Sequence, residues 1–531
     1  MSPTVQFVLL SQRRSDPFHL ITMRARLERL ATPAFAALAV AAIVTIAFVA
    51  RWRFLDSSPY PLGIDGFYYA IQLRSLLHDH QLYYPASPMA FWLMLPGASA
   101  LGPIAGAKLG ASLGTALAAA PVYAIVRRAT GERAAGVVGA ALVATAAGSF
   151  YLATEFVKQG VGLTLALAFV ATLGAALDAP AGRGRNTRIA LATVLFAATL
   201  LTHLTSVALA VAFAVPPLWV RATRTGSAHR LRTAALIAAA LAVLATAVVL
   251  LVPAARQDMG LAQLFGPASR DFFGRHAFHH EVPLGALAAI VLAVNVVVGV
   301  VLHRVRGPRA TLRAAAPSAE ARALLVGPAV LALMLALPWL SVRDPQGLVF
   351  RLRIMAFVPL AICAPAAMAQ LLAWAPPRLP QLLPIAAAVA LLALVPLRYV
   401  APVNWPNPVF VPGAAAIAEH TPPGAIIIVQ GRELAFMVKW AADREARTLP
   451  PRPIDARPTF RLASAGVLPP GVLRELDAFE HGLPADLPRP VRLDPKKPKR
   501  MILFAESTWL ALVQAASPAD RAQLELWTRA P

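Results

Sequence analysis

Residues 31–80 read "ATPAFAALAVAAIVTIAFVARWRFLDSSPYPLGIDGFYYAIQLRSLLHDH". Positions 31–50 carry no charge, and their length matches the roughly 20 residues that span a bilayer. Arg13, Arg14, Arg24, Arg26 and Arg29 precede them, which sets the N-terminus on the cytoplasmic side. The run is longer than a signal-peptide core, so an uncleaved anchor is expected. The stretch that follows, 51–87, is too polar to cross a membrane and too aromatic for a plain linker. It holds Asp65 among Gly, Tyr, Phe and Pro, directly beyond the first crossing.

The same pattern repeats outward from there. The chain is 58% hydrophobic and 14% charged, with mean hydropathy +0.62, against about 25% charged in soluble domains. About eleven crossings are expected, near 31–50, 104–126, 134–153, 160–177, 189–202, 204–220, 233–253, 284–302, 323–340, 354–374 and 381–399. The fifth and sixth share only 189–220, as two short tilted helices or a broken pair. Arg-rich loops at 127–133, 183–188, 221–232 and 303–313 alternate with Arg-poor ones and mark the cytoplasmic side. The net charge of +23 is therefore read as topology, with anionic lipid headgroups as counter-ions and nucleic acid excluded as a partner. Cys363 is the single cysteine, so no internal disulfide forms. No Gly-rich loop ending in Lys-Ser/Thr supports ATP-driven transport.

Beyond residue 400 the composition changes. "GAIIIVQG" (424–431) and "RMILFAES" (500–507) read as strands, "ELAFMVKWAADRE" (433–445) has helical period, and "LPRPVRLDPKKPKR" (487–500) reads as an exposed loop. The fold class expected is a polytopic α-helical membrane protein of about 11 transmembrane helices with a small C-terminal extracytoplasmic α/β domain. Its parts are a cytoplasmic segment (1–30), a membrane domain (31–400) with its first outer loop at 51–103, and the α/β domain (401–531). An odd number of crossings puts Asp65 and the C-terminal domain outside. The high Ala, Arg and Pro content points to a GC-rich bacterial genome, so outside is the periplasm and the membrane is the inner one.

Asp65 has two readings. "GFYYAIQLRSLLHD" has apolar residues at helical spacing and reads as an amphipathic interface helix. Asp65 then either caps that helix or, in a partly dry site, acts as a general base toward a hydroxyl.

"PLGIDGFYYAIQLRSL" (61–76), "YYPASPMAFWLMLPGASALG" (83–102) and "IAEHTPPGAIIIV" (417–429), in this layout, resemble the GT-C superfamily of integral-membrane glycosyltransferases. The resemblance covers most of the chain in layout through short motifs. It implies a polyprenyl-phosphate-linked sugar as donor, a lipid, glycan or protein acceptor, and Asp65 as the first-loop catalytic carboxylate. Asp65 is followed by Gly66 where some members carry a second acid, and the tail lacks a Trp-Trp-Asp motif. The subfamily stays open, with N-glycosylation the less favoured branch.

A phosphate donor needs cations at the outer surface. Arg343, Arg351 and Arg353 precede a crossing; Arg351 and Arg353 face different ways on a helix, so one of them meets the phosphate. Interface snorkelling, or pairing of Arg343 with Asp344, is the other reading. Glu155 and Lys158 form either a local ion pair or a site in which Lys158 holds phosphate and Glu155 holds a sugar hydroxyl or assists Asp65. Tyr68, Tyr69 and His203 are candidate substrate contacts, although a surface turn is favoured for "LLTHLTS" (200–206). His78, Asp79 and His80, and separately His276, His279, His280 and Glu281, are metal candidates without a known signature. A divalent ion is left open because some GT-C relatives use one.

The expected function is transfer of a sugar from a polyprenyl phosphate to an acceptor hydroxyl on the outer face, with inversion. The rival classes are a transporter or lipid flippase and a scaffold of an envelope complex. A transporter would show charges at mid-membrane and two related halves.

Overall fold

The computed structural model describes residues 32–63, 65–224, 281–306, 317–336, 348–374, 410–448, 457–464, 468–494 and 501–528. The crossings expected at 233–253 and 381–399, the histidines at 276–280 and Arg343 lie outside them.

Helix α1 (Pro33–Leu55) is the first crossing. After it come α2 (Gly66–His78) and α3 (Met89–Leu101). The bundle continues with α4 (Pro103–Ala116), α5 (Ala119–Thr130), α6 (Arg133–Thr145), α7 (Ala147–Thr154), α8 (Val157–Asp178), α9 (Arg183–Leu200) and α10 (Leu204–Arg224). It ends with α11 (Glu281–Arg306), α12 (Ala319–Ala323), α13 (Val326–Ala336), α14 (Leu348–Ile354) and α15 (Phe357–Trp374). Among the described residues, six helical stretches are long and apolar enough to cross a membrane, or seven if α6 and α7, bent by 46°, form one broken span. The chain is thus a polytopic helical membrane protein. Apolar side chains left bare on α1 and α11, such as Leu38, Ile46, Leu287 and Val297, form the surface that lipid would cover.

The break in α6–α7 is held by a buried charge. Ala146 is extended, which frees the Ala144 carbonyl. Arg51 of α1 is fully buried and donates to it at 2.9 Å and to Ser149 Oγ at 2.8 Å, with its guanidinium 5.0 Å from the Phe150 ring. A backbone carbonyl inside a membrane needs such a donor.

The bundle's two ends differ in chemistry. At one end Arg128 pairs with Asp178 at 2.6 Å, Ser318 donates to Asp178, and Arg224 and Arg221 meet Glu320 at 3.1 and 3.7 Å. These belong to the Arg-rich connections of the sequence. Helix α9 starts at this end with Arg183, Arg185 and Arg188 and leads to His203 at the other end.

At that other end sits a five-stranded sheet, β1 (Ile426–Val429), β2 (Glu445–Arg447), β3 (Thr459–Ser464), β4 (Val491–Arg492) and β5 (Met501–Ala505), in the order β2-β1-β3-β5-β4. Strand β1 lies parallel to both neighbours, with Ile427 opposite Ala446 and Phe460. Pairing on both edges and cover on both faces explain its uninterrupted Ile-Ile-Ile-Val run. Strand β5 runs antiparallel to β3 and β4. Helices α16 (Phe410–His420), α17 (Arg432–Ala442), α18 (Pro470–Gly482), α19 (Glu506–Ala515) and α20 (Pro518–Thr528) cover it. The strands and the helix read from 424–431, 433–445 and 500–507 are therefore present.

Helix α2 is not the one-sided interface helix expected. Phe67 and Ile71 belong to the core of the sheet layer, with Ile417, Phe436 and Val438. Tyr69, Leu73 and Leu76 belong to a core with Leu55, Phe91, Met94 and Val161 of the bundle. The helix is apolar on two sides because it is packed between two layers.

Candidate functional site

The site is built where α2 begins. Gly63 has φ +82, and a Cβ there would strike the Thr154 carbonyl oxygen and lie 3.0 Å from Glu155 Oε2. Only glycine fits both constraints. It brings the Asp65 turn onto the C-terminus of α7, where Glu155 is buried. Lys108 Nζ steadies the approach by donating to the Ser58 carbonyl at 2.5 Å, with Asp56 at 3.6 Å.

Asp65 stands at the N-cap of α2, yet its side chain makes no capping hydrogen bond. Capping therefore does not account for this carboxylate. Burial pushes its carboxyl above the ordinary range, and Arg432, Arg351 and Lys158 pull it back. Three cations thus converge on one half-buried acid, from the bundle and from the sheet layer alike.

Each cation has a distinct seat. Helix α7 ends at Thr154 and α8 starts at Val157, so Glu155 and Lys158 lie either side of a break and do not share one helix face. The Lys158 ammonium lies 5.8 Å from the Tyr68 ring centroid, and its backbone N–H donates to Tyr69 Oη at 3.3 Å. Tyr69 is buried and ties α2 to α8, whereas Tyr68 is half-buried and faces the cation. Gln159 of α8 donates to the Arg351 carbonyl at 2.8 Å, which fixes α14.

Arg351 Nη1 donates to His203 Nε2 at 2.9 Å. An arginine has no acceptor, so Nε2 carries no proton and Nδ1–H donates to Thr205 Oγ1 at 2.6 Å. His203 is buried at the break between α9 and α10, so the surface turn favoured from sequence is incorrect. The polar groups of that break are satisfied locally: Thr202 Oγ1 donates to the Ala198 carbonyl, and His203 is held by Thr205 and Arg351. On α14, Arg351 reaches His203 and its charge acts on Asp65.

The sheet layer adds two residues that the sequence reading did not single out. Arg432 and Glu433 open α17 after Gly431, which has φ +105. Burial and the nearby Glu155 charge push the Glu433 carboxyl up to about 7. Their only sequence signal is a glycine followed by a charged pair at a helix start, which is common and carries no chemistry by itself.

Of the metal candidates, His78, Asp79 and His80 fall within the described residues and do not gather into a ligand group. Asp79 accepts from Ser75 Oγ at 3.1 Å, and among the described residues no group of three His, Cys, Asp or Glu is placed to hold an ion. His78, Asp79 and His80 therefore do not make the cluster that their spacing suggested.

No protein-family model matches the chain, and no curated protein matches it. Among solved structures it is similar to ArnT from Cupriavidus metallidurans bound to undecaprenyl phosphate. The identity is 15%, over 90% of this chain and 98% of that one, with a TM-score of 0.48. The apo state of the same protein gives 15% identity, 91% and 99% coverage and a TM-score of 0.47. At this distance no residue role, sugar or acceptor is carried across from them.

Proposed function

We propose that the chain is a membrane glycosyltransferase that moves a sugar from a polyprenyl phosphate to an acceptor hydroxyl, with Asp65 as general base. One observation carries this reading: a half-buried, uncapped carboxylate under the joint influence of Lys158, Arg351 and Arg432. A transfer from phosphate to hydroxyl requires both halves of that arrangement, a base and a nest of cations.

In this mechanism the donor's phosphate lies against Lys158 and Arg351. Asp65 accepts the proton of the acceptor hydroxyl as its oxygen attacks the anomeric carbon. The bond from that carbon to the phosphate oxygen breaks, and polyprenyl phosphate leaves with the bonding pair. Lys158 and Arg351 stabilise the charge gained by the leaving group, so their effect is greatest in the transition state. Attack opposite the leaving group inverts the anomeric centre. Arg351 is pre-aimed by its bond to His203. The proposed setting is the bacterial inner membrane, with the N-terminus and the Arg-rich end cytoplasmic and residues 401–531 as a periplasmic domain.

The test is covalent transfer. Purified chain in vesicles is given labelled polyprenyl-phosphate sugars and an envelope extract as acceptor source. Label appearing in the acceptor fraction supports the reading. Label that only crosses the bilayer, still attached to its lipid, points to the flippase instead.

A further inference from the structure

Arg351 is held at two points. Its guanidinium donates to His203 Nε2 at 2.9 Å, and its backbone carbonyl accepts from Gln159 Nε2 at 2.8 Å. His203 and Gln159 are both buried, and each is bound in turn by one of two consecutive hydroxyls at the start of α10. Thr205 Oγ1 lies 2.6 Å from His203 Nδ1, and Ser206 Oγ donates to the Gln159 carbonyl at 3.4 Å. Both hydroxyl side chains are themselves buried. The contacts through Gln159 fix where the arginine side chain starts, and those through His203 fix where it ends.

The imidazole is the member of this chain of contacts whose donor and acceptor atoms can exchange. Burial, and the charges of Arg351 and Lys158, push its pKa well below the ordinary histidine value, so the ring is neutral and carries one proton. Which nitrogen holds that proton is decided by the hydrogen bonds the two nitrogens make. Arginine offers only donors, so it binds Nε2 only while the proton sits on Nδ1. With the proton on Nε2, two N–H groups would face each other and the guanidinium would lose its seat. Thr205 Oγ1 is the acceptor that holds the proton on Nδ1. Its hydroxyl therefore acts on Arg351 through the ring between them.

We propose that Thr205 is a positioning residue for sugar transfer: by holding the His203 proton on Nδ1, it keeps Nε2 as the acceptor that aims Arg351 at the donor's phosphate. The proposal rests on the glycosyltransferase reading and adds to it the residue that sets the phosphate-binding arginine from behind. Thr205 follows His203 by two positions across the start of α10, so the setting is local and travels with that helix.

The experiment has two readouts on the purified full chain in lipid nanodiscs. Nitrogen NMR of the labelled histidine rings, with the His203 signals assigned by their loss in His203→Gln, reports which nitrogen carries the proton. Titration with sugar-free polyprenyl phosphate reports the affinity for the donor's phosphate. Wild type should show the His203 proton on Nδ1. Thr205→Val keeps the shape of the side chain and removes the acceptor. It should move the proton at least partly to Nε2 and weaken polyprenyl phosphate binding about 5-fold, and Thr205→Ser should restore both. In a His203→Gln background the amide oxygen accepts from Arg351 with no tautomer to hold, so there Thr205→Val should cost no further affinity. A proton on Nε2 in wild type, an unchanged affinity in Thr205→Val, or an equal loss in the two backgrounds overturns the proposal. Wild type that binds no polyprenyl phosphate overturns the glycosyltransferase reading itself, and the proposal with it.

Discussion

Gly63, Asp65 and Glu433 carry most of the residue-scale account. Gly63→Ala places a side chain at φ +82 against Thr154 and Glu155. The backbone penalty alone is about 1–2 kcal/mol, and the collision shifts the Asp65 turn. A transfer rate lowered at least about 10-fold, with the bundle's helical circular dichroism retained, is the expected result. Glu433 has a stability signature as well. Its carboxyl rises from the ordinary 4.5 to about 7 in the folded chain. Between those values the folded state binds more proton than the unfolded one, so stability falls as pH rises through that window and is level above it. The full shift is worth about 3 kcal/mol at most, and roughly half of that after solvent screening. Thermal midpoints of Glu433→Gln in nanodiscs should therefore lose part of the wild-type decline between pH 4.5 and 7. The sequence singled out Asp65 as an acid just beyond a crossing, among Gly and Tyr, but left capping and base chemistry open, and only the fold shows that its side chain caps nothing. Arg432 and Glu433 were not legible, because their meaning comes from a helix far away in the chain.

At the scale of elements, the pairing of α2 with α17 decides whether the site is whole. Arg74→Ala removes the cation from Trp440 and from the end of α17. The loss expected is about 1–3 kcal/mol. Backbone hydrogen exchange should quicken through α17 and remain slow in α8. Exchange that is unchanged in α17 would show that Arg74 does not hold the two helices together. The apolar spacing of α2 gave its helix correctly but misled as to its setting. A helix between two protein layers and a helix at a lipid interface both repeat apolar residues at helical spacing, and only the partner distinguishes them. The α6–α7 break was similarly hidden: 134–153 reads as one apolar run, and the donor that satisfies the break is Arg51, from another helix.

The whole molecule is polar in the sense of having two unlike ends. Ion pairs among Arg128, Asp178, Arg224 and Glu320 collect at one, and Asp65, Glu155, Lys158, His203 and Arg351 at the other. The Arg-rich loops forecast this division because charge in short loops sets orientation during insertion. The chain's single cysteine, Cys363, is buried, so engineered thiols report sidedness cleanly. Gln81→Cys should react with an impermeant maleimide in intact cells whose outer membrane has been opened. Glu132→Cys should react only once the inner membrane is also breached. The reverse pattern would invert the proposed topology.

The central claim is that Asp65 performs the base chemistry of sugar transfer at this end of the bundle. The most direct measurement is release of polyprenyl phosphate from a labelled polyprenyl-phosphate sugar, with envelope acceptor present, by wild type and Asp65→Asn in lipid vesicles. Asparagine keeps the size of the side chain and removes its ability to accept the proton. The account predicts release by wild type and a loss of about 100-fold or more in the variant. In wild type the rate should rise with pH as Asp65 ionises, through a value above the ordinary carboxylate range. Equal release by the two proteins would contradict the account and shift the chemistry to another carboxylate of the site.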